Sequence, residues 1–253
     1  MGASYLCEII DKKELLPDLF SFWIQAPQIT QNAVPGQFIH ILCGEGALLR
    51  RPFSICEIDG EALRFVMGVK GKGTALIAKH QIGDQLDVLG ALGRGFSPSE
   101  QEGTALLIGG GIGIFPLLGL GKTIGDDVEA ILGFRSKELI SMQADFELVC
   151  KKLHIATDDG SFGYHGLVTT LAEQIINQQK VGSIFACGPM PMLKAVKNLA
   201  QKYNLFCELS LESRMGCGVG ACMTCVCKTS NNVYTPVCKT GPVFPASEVK
   251  FDD

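Results

Sequence analysis

Four cysteines near the carboxyl end of the chain have the spacing of a metal-cluster site. Cys217, Cys222 and Cys225 follow the pattern C-x4-C-x2-C, and Cys238 stands further along in a separate segment. Plant-type [2Fe–2S] clusters take their four thiolates in this order, three from one loop and the last from elsewhere. The spacing therefore predicts a [2Fe–2S] cluster on these four cysteines.

The glycines between these cysteines suit a loop that wraps around a small object. Gly216, Gly218 and Gly220 permit tight turns and leave N–H groups free to point at cluster sulfurs. Zinc is the alternative, but a zinc ribbon needs two CxxC pairs and this segment has one. Cys227 is a second candidate for the fourth ligand, although Cys238 fits the plant-type order better. We expect the remaining cysteines outside the nucleotide motifs to be inert: Cys7, Cys43, Cys56, Cys150 and Cys207.

A second group of motifs indicates a bound dinucleotide. Arg51 and Ser54 open a predicted strand, where a guanidinium and a hydroxyl can meet a phosphate or a ring carbonyl. Gly71–Thr74 precedes a predicted helix, and helix N-termini bind phosphate through free N–H groups. The first signal alone is weak, because an Arg beside a turn is usually just solvated.

Two glycine-containing loops follow buried strands further along. Gly109–Pro116 leads from a strand into a helix, and Cys187-Gly188-Pro189 follows a later strand. Ligands bind at the carboxyl ends of parallel strands, so the pair predicts a pyridine-nucleotide site. A purely structural tight turn is the alternative.

Three kinds of segment must position these motifs. Residues 1–98 alternate on a period of two in short runs, which predicts an antiparallel β-barrel. A linker is predicted at Ser97–Gly103, and strands then alternate with helices over 99–206, which predicts a parallel sheet in an α/β domain. Residues 207–253 are rich in Cys and Gly, and we expect a small cluster domain there.

Composition narrows the class of protein. The 253 residues are 47% hydrophobic, and 22 basic against 26 acidic residues give a net charge of −4. The length predicts two domains with room for a small third one, and the charge argues against nucleic acid as a partner. The chain shows no signal-peptide pattern and no run of about 18 apolar residues, so we expect a cytoplasmic protein without a membrane span.

Most of the chain resembles a known family through these motifs. The ferredoxin–NADP reductase superfamily is similar in PGQF (Pro35–Phe38), RPFS (Arg51–Ser54), GKGT (Gly71–Thr74), GGGIGIFP (Gly109–Pro116) and CGPMPML (Cys187–Leu193). The tail, Glu212–Lys228 with Val237–Phe244, resembles the electron-transfer subunits of NAD-dependent class 1B dihydroorotate dehydrogenases. The resemblance implies an FAD-binding barrel, an NAD-binding domain and a [2Fe–2S] domain.

The resemblance also implies binding residues. FAD would lie on Arg51, Pro52, Phe53, Ser54, Val66, Met67, Gly68, Gly73 and Thr74. NAD would lie near Gly110, Gly111, Gly113, Cys187, Gly188 and Pro189. Phe53 stands where the superfamily often has Tyr and lacks that hydroxyl. Arg135 follows a predicted strand and could meet a 2′-phosphate, so NADP stays open as an alternative to NAD.

The function implied is an electron relay in pyrimidine biosynthesis. A separate FMN-containing subunit would oxidise dihydroorotate to orotate, and this chain would pass the electrons through [2Fe–2S] and FAD to NAD⁺. Two copies of each subunit are expected in a heterotetramer, with dihydroorotate oxidation entirely on the partner. One alternative is a reductase subunit of another oxidoreductase, of the sulfide dehydrogenase or hydrogenase type. Another is a non-enzymatic iron–sulfur module.

Overall fold

The computed structural model describes residues 3–98 and 102–251. The amino-terminal part is a closed barrel of six strands in the order β1-β2-β5-β4-β3-β6. These strands are β1 (Ser4–Leu16), β2 (Leu19–Gln25), β3 (Phe38–Ile41), β4 (Arg51–Asp59), β5 (Ala62–Gly68) and β6 (Gln85–Leu92). All the neighbouring pairs are antiparallel, as the sequence predicted. Two short helices, α1 (Pro27–Thr30) and α2 (Lys72–Ile77), join them.

Alternate side chains along the barrel strands point inward and fill the barrel interior. Ile39 and Ile41 of β3 point into its apolar interior, where Phe65 of β5 stacks between two other rings. The ring of Phe65 lies 5.1 Å from that of Phe22 and 5.4 Å from that of Phe53. Phe53 belongs to the motif Arg51–Ser54, so the interior packing fixes that motif's strand.

The second part is a seven-stranded sheet in the order β10-β9-β8-β7-β11-β12-β15. Its first five strands by sequence are β7 (Thr104–Gly110), β8 (Val128–Phe134), β9 (Lys152–Thr157), β10 (Tyr164–His165) and β11 (Val181–Cys187). The helices around them are α3 (Phe115–Ile124), α4 (Gln143–Val149), α5 (Val168–Gln178) and α6 (Met190–Lys202), with 3-10 turns at Gly111–Ile114 and Lys137–Leu139. Every strand pair from β10 to β12 is parallel, which confirms the predicted α/β architecture.

The tail does not form a layer of its own. Its strand β12 (Phe206–Ser210) pairs in parallel with β11, and β15 (Val243–Pro245) pairs antiparallel with β12 at the sheet edge. Between them lie β13 (Val226–Lys228), β14 (Tyr234–Pro236) and α7 (Val237–Thr240), and the 3-10 turn Ala246–Glu248 follows. The sheet thus extends past residue 206, and the predicted boundaries at 98/99 and 206/207 stay predictions. Residues 99–101 of the predicted linker lie outside the described residues.

Ionic contacts on two sides join the barrel to the α/β part, and one of them pairs Glu57 of β4 with Lys122 of α3. Arg64 of β5 pairs with Glu57 at 3.2 Å and with Asp145 of α4 at 2.5 Å. On the other side, Arg94 pairs with the buried Glu208 of β12 at 3.1 Å, and the Ser97 N–H donates to the same carboxylate at 2.7 Å. Among the described helices, none is long and apolar enough to cross a membrane.

The ring stack in the barrel gives a stability prediction. Phe65→Ala removes the central ring and should lower the free energy of unfolding by about 3–5 kcal/mol. Phe162→Ala is the matched control because that ring is 44% exposed, and it should change stability by about 0.5 kcal/mol or less. Urea unfolding measures both, and equal losses would contradict the packing described here.

Candidate cluster and dinucleotide site

The first part of the site is a glycine loop whose amides point at cysteine sulfurs. Cys217 Sγ accepts N–H groups from Val219 at 3.4 Å, Ala221 at 3.3 Å and Cys222 at 3.4 Å. The loop can turn this tightly because Gly218 and Gly220 have φ of 73° and 80°. Amides in this arrangement stabilise negative charge on a thiolate or a cluster sulfur.

The four predicted cluster cysteines meet as two pairs. The side chain of Cys222 contacts that of Cys217, and the side chain of Cys238 contacts that of Cys225. The N–H of Cys238 also donates to Cys225 Sγ at 3.4 Å, and the N–H of Gly220 donates to Cys238 Sγ at 3.1 Å. Two thiolates per iron is what a [2Fe–2S] cluster takes from a protein. In the described part of the chain no three His, Cys, Asp or Glu side chains are grouped to hold a single ion.

The two pairs differ in burial. Cys222 is exposed, and hydrogen bonds from Thr224 and the Cys217 main chain lower its pKa to about 6. Cys238 is buried, and that burial raises its pKa to about 12. The thiolate is the form that binds iron, so the hydrogen bonds at Cys222 favour the form that can act as a ligand. The residues present fit the predicted cluster.

Cys227 lies close by in a different setting. It stands on β13 opposite Thr235, and its half-buried side chain packs against the large apolar core. Cys238, by contrast, begins the helix α7 together with Val237, whose N–H donates to the Cys225 carbonyl at 2.7 Å. This geometry favours Cys238 as the fourth ligand, and the assignment stays a prediction.

The second part of the site is the strand that starts at Arg51. The Arg51 guanidinium donates to the Leu49 and Arg50 carbonyls at 2.7 and 3.1 Å. A Cβ at Gly73 would come within 3.0 Å of its Nε, so Gly73 leaves room for that side chain. Glycine there brings the start of α2 against the predicted flavin strand.

The other predicted FAD residues contribute in two ways. Phe53 and Met67 point into the barrel core, so only their main chains are available to a ligand. Val66 points to the opposite face and packs in the core shared with the α/β part. Three others are half-buried strand residues: Pro52, Ser54 and Gly68. Thr74 Oγ1 accepts N–H groups from Lys70 and Gly71 at 2.9 and 3.2 Å, so it orders its own turn.

The two predicted NAD loops form one site. Gly109 at the end of β7 stands beside Cys187 at the end of β11. A Cβ on Gly113 would lie 2.5 Å from the Cys187 carbonyl oxygen, and one on Gly110 would lie 2.9 Å from Pro189. Gly188 in turn lies against Gly110. Glycine is needed here because the two backbones touch.

Two more side chains are connected with the predicted nucleotide by their positions in the sequence, those of Cys187 and Arg135. Burial raises the pKa of Cys187 to about 12, and its thiol contacts Ser210 of β12. The thiol is therefore neutral at the predicted nicotinamide position. The carbonyl of Arg135, the residue that leaves NADP open, accepts the Asp159 N–H at 3.2 Å in the loop after β9.

One residue of the site escaped the sequence reasoning. His40 of β3 is completely buried, and it lies under the cluster loop next to Gly218. Burial, followed by the nearby Arg50 charge, lowers its pKa to about 4. The only signal in the sequence is the alternation of the strand, which puts His40 on the same face as Phe38 and opposite to Ile39 and Ile41.

Comparison with known proteins identifies the family. A family model for the iron–sulfur cluster binding domain of dihydroorotate dehydrogenase B matches residues 212–250. The dihydroorotate dehydrogenase B (NAD(+)) electron transfer subunit of Geobacillus thermodenitrificans is 42% identical, over 95% of this chain and 96% of its own length. This chain belongs to the dihydroorotate dehydrogenase B electron transfer subunit family. The family member from Bacillus cereus strain Q1 is 39% identical over the same shares.

Solved structures agree on the fold of this family member. A structure described as an NADH-dependent reduced ferredoxin–NADP oxidoreductase, from work on flavin-based electron bifurcation, superposes with a TM-score of 0.87 at 32% identity. It covers 99% of this chain and 91% of the other. A Neisseria gonorrhoeae ferredoxin NADP⁺ reductase with bound FAD and NADP superposes with a TM-score of 0.66 at 21% identity, over 80% and 92% of the two chains. This second likeness shows the fold alone.

Proposed function

We propose that this chain is the electron transfer subunit of an NAD-dependent dihydroorotate dehydrogenase, which carries electrons from an FMN-containing catalytic subunit to NAD⁺. The observation that carries the proposal is the pairing of Cys217 with Cys222 and of Cys225 with Cys238, in a tail that packs against the barrel with the predicted flavin strand. Full-length similarity to subunits of that name supports it. The reaction belongs to pyrimidine biosynthesis.

Cys217 and Cys222 would hold one iron of a [2Fe–2S] cluster, and Cys225 and Cys238 the other. The amides of Val219, Ala221 and Cys222 point at the Cys217 sulfur and would lower the cost of negative charge there. When bound, the cluster supplies transfer of single electrons.

FAD would lie along the start of β4, the end of β5 and the start of α2. Arg51 offers a guanidinium beside Gly73, while Phe53 and Met67 hold the two strands in place from inside the barrel. When bound, FAD supplies the exchange between single electrons and a hydride. Phe53 has no hydroxyl to hydrogen-bond the flavin, and its ring packs in the barrel core against Phe65.

NAD would lie over the paired loops at Gly110–Gly113 and Cys187–Pro189. Gly111 is open, since a Cβ there would meet nothing within 4 Å, and it leaves its backbone accessible. The neutral Cys187 thiol places no charge beside a ring that becomes cationic on oxidation. The preference for NAD over NADP, the cytoplasmic location and the two-plus-two heterotetramer stay predictions.

A second function has one observation in its favour. The superposition with the NADH-dependent reduced ferredoxin–NADP oxidoreductase structure, at 32% identity, supports a reductase subunit that serves another oxidoreductase. The higher identity of 42% to a dihydroorotate dehydrogenase subunit favours the first proposal.

The fourth cluster ligand can be tested with a matched pair of variants. Cys238→Ser should lose the cluster because one iron would have a single cysteine left. Cys227→Ser should keep the cluster, since Cys227 lies on β13 opposite Thr235, whereas the side chain that contacts Cys225 is that of Cys238. Acid-labile sulfide and visible absorbance of anaerobically purified protein measure both, and the reverse result would move the ligand to Cys227.

The nucleotide loops give a second prediction. Gly113→Ala places a methyl group 2.5 Å from the Cys187 carbonyl and should push the two loops apart. The kcat/KM for NADH with an artificial acceptor should fall about 10- to 100-fold because the nicotinamide is misplaced. Gly83→Ala, in an open turn of the barrel, is the control and should leave this value unchanged. An unchanged kcat/KM in folded Gly113→Ala would show that the nucleotide does not bind at these two loops.

The division of labour between subunits tests the function directly. The isolated chain should be reduced by NADH but not by dihydroorotate, because the predicted dihydroorotate site lies on the partner. Stopped-flow absorbance measures both reductions, and adding the catalytic subunit should make dihydroorotate effective. Flavin bleaching by dihydroorotate without the partner would contradict the proposal.

A further inference from the structure

The strongest unexplained feature is the buried histidine under the cluster loop. His40 lies on the outer face of β3, where the tail covers the barrel. On the same face, Phe38 and Leu92 belong to one apolar core with Cys225 and Cys238. The burial of an imidazole among these apolar side chains requires an explanation, because a polar group without a hydrogen-bond partner is costly to bury.

The ring has no hydrogen bond of normal geometry. Among buried side-chain nitrogen and oxygen atoms of the described residues, only Nδ1 and Nε2 of His40 lack a partner. The main-chain carbonyls of Cys217 and Arg50 both lie near the ring. A buried donor left without an acceptor costs about 1–3 kcal/mol, so a small adjustment toward one of these carbonyls is favoured.

Gly218 tells which nitrogen faces the loop. A Cβ on Gly218 would lie 2.6 Å from His40 Nδ1 and 3.3 Å from Cε1. The backbone directly after Cys217 therefore rests on the Nδ1 edge of the ring. The charged groups nearby are Arg50, whose guanidinium bonds the His40 and Asp87 carbonyls at 3.2 and 3.0 Å, and Arg51.

We propose that His40 is a positioning residue for the cluster loop, with its Nδ1–H donated to the main-chain carbonyl of Cys217. The inference rests on the proposed function. The bond fixes the peptide from which the loop turns, and the amides of Val219, Ala221 and Cys222 reach the Cys217 sulfur from that turn. Without this hydrogen bond, the three N–H groups would no longer point at the Cys217 sulfur.

The same residue joins the cluster to the flavin strand. His40 pairs with Pro52 in the β3–β4 register, next to Arg51. Its side chain faces the cluster loop while its main chain belongs to the sheet that carries the predicted FAD residues. His40 therefore fixes the position of the Cys217 peptide relative to that strand, and so would set the distance between a cluster and a flavin bound there.

Two substitutions separate hydrogen bonding from packing. His40→Asn keeps a donor near the Nδ1 position, whereas His40→Leu fills the space and offers no donor. The full chain is purified anaerobically, and FAD content confirms folding. The readouts are the rate of iron release to a chelator, the EPR spectrum of the reduced cluster and its midpoint potential.

His40→Leu should release iron about 10-fold faster than the wild-type chain, as is typical when a supporting contact of a metal ligand is lost. Its EPR spectrum should change and its midpoint potential should fall, since weaker N–H contacts to sulfur disfavour the reduced cluster. His40→Asn should stay within about twofold of wild type in release rate. Equal behaviour of Leu and wild type, or a worse result for Asn than for Leu, would overturn the inference.

A variant at another residue tests the same contact even if His40→Leu does not fold. Gly218→Ala places a methyl group against Nδ1 and should produce the same EPR change and faster iron release. Gly83→Ala has a similar positive φ of 91° in open space and controls for backbone strain. Gly218→Ala with wild-type readouts would also overturn the inference. A wild-type chain without an iron–sulfur signal would instead contradict the proposed function.

Discussion

The structure depends on one constraint, which is that a short tail without a core of its own must bring four thiols together. The tail meets this constraint by packing on the other two parts of the molecule. β15 extends the parallel sheet at its edge, and Val237 and Cys238 enter a core that includes Phe38 of the barrel. The main-chain N–H of Arg94 adds a bond of 2.5 Å to the Gly241 carbonyl. The cluster loop is therefore held by contacts from both parts rather than by its own side chains.

That packing also decides how close the three predicted binding regions lie. The tail covers the outer face of β3, and the next strand in the barrel, β4, begins with Arg51. On the sheet side, β12 leads from the nucleotide loops into the tail, since Ser210 ends the strand beside Cys187. Neighbouring strands thus connect the predicted cluster, flavin and nucleotide positions. A small shift of the tail would therefore move the predicted flavin and nucleotide residues as well.

The local parts of this arrangement could be predicted from the sequence, and the long-range parts could not. Cysteine spacing predicted the thiols that meet, and strand alternation predicted the barrel and the parallel sheet. β1 was missed because its charged residues, such as Lys12 and Lys13, interrupt a simple alternation. The role of the tail at the sheet edge was missed because pairing between β12 and β15 joins segments far apart in the chain. His40 was missed for the same reason, since Gly218 of the distant tail lies against its ring.

The metal content of the purified chain tests the central claim most directly. Protein prepared without oxygen should contain two irons, two acid-labile sulfides and one FAD per chain, as a plant-type cluster beside a flavin requires. Iron, sulfide and zinc analysis of the same sample, together with the EPR spectrum after reduction, measures this. Zinc at full occupancy with no labile sulfide would contradict the account, because four thiols around one ion would then replace the two pairs described here.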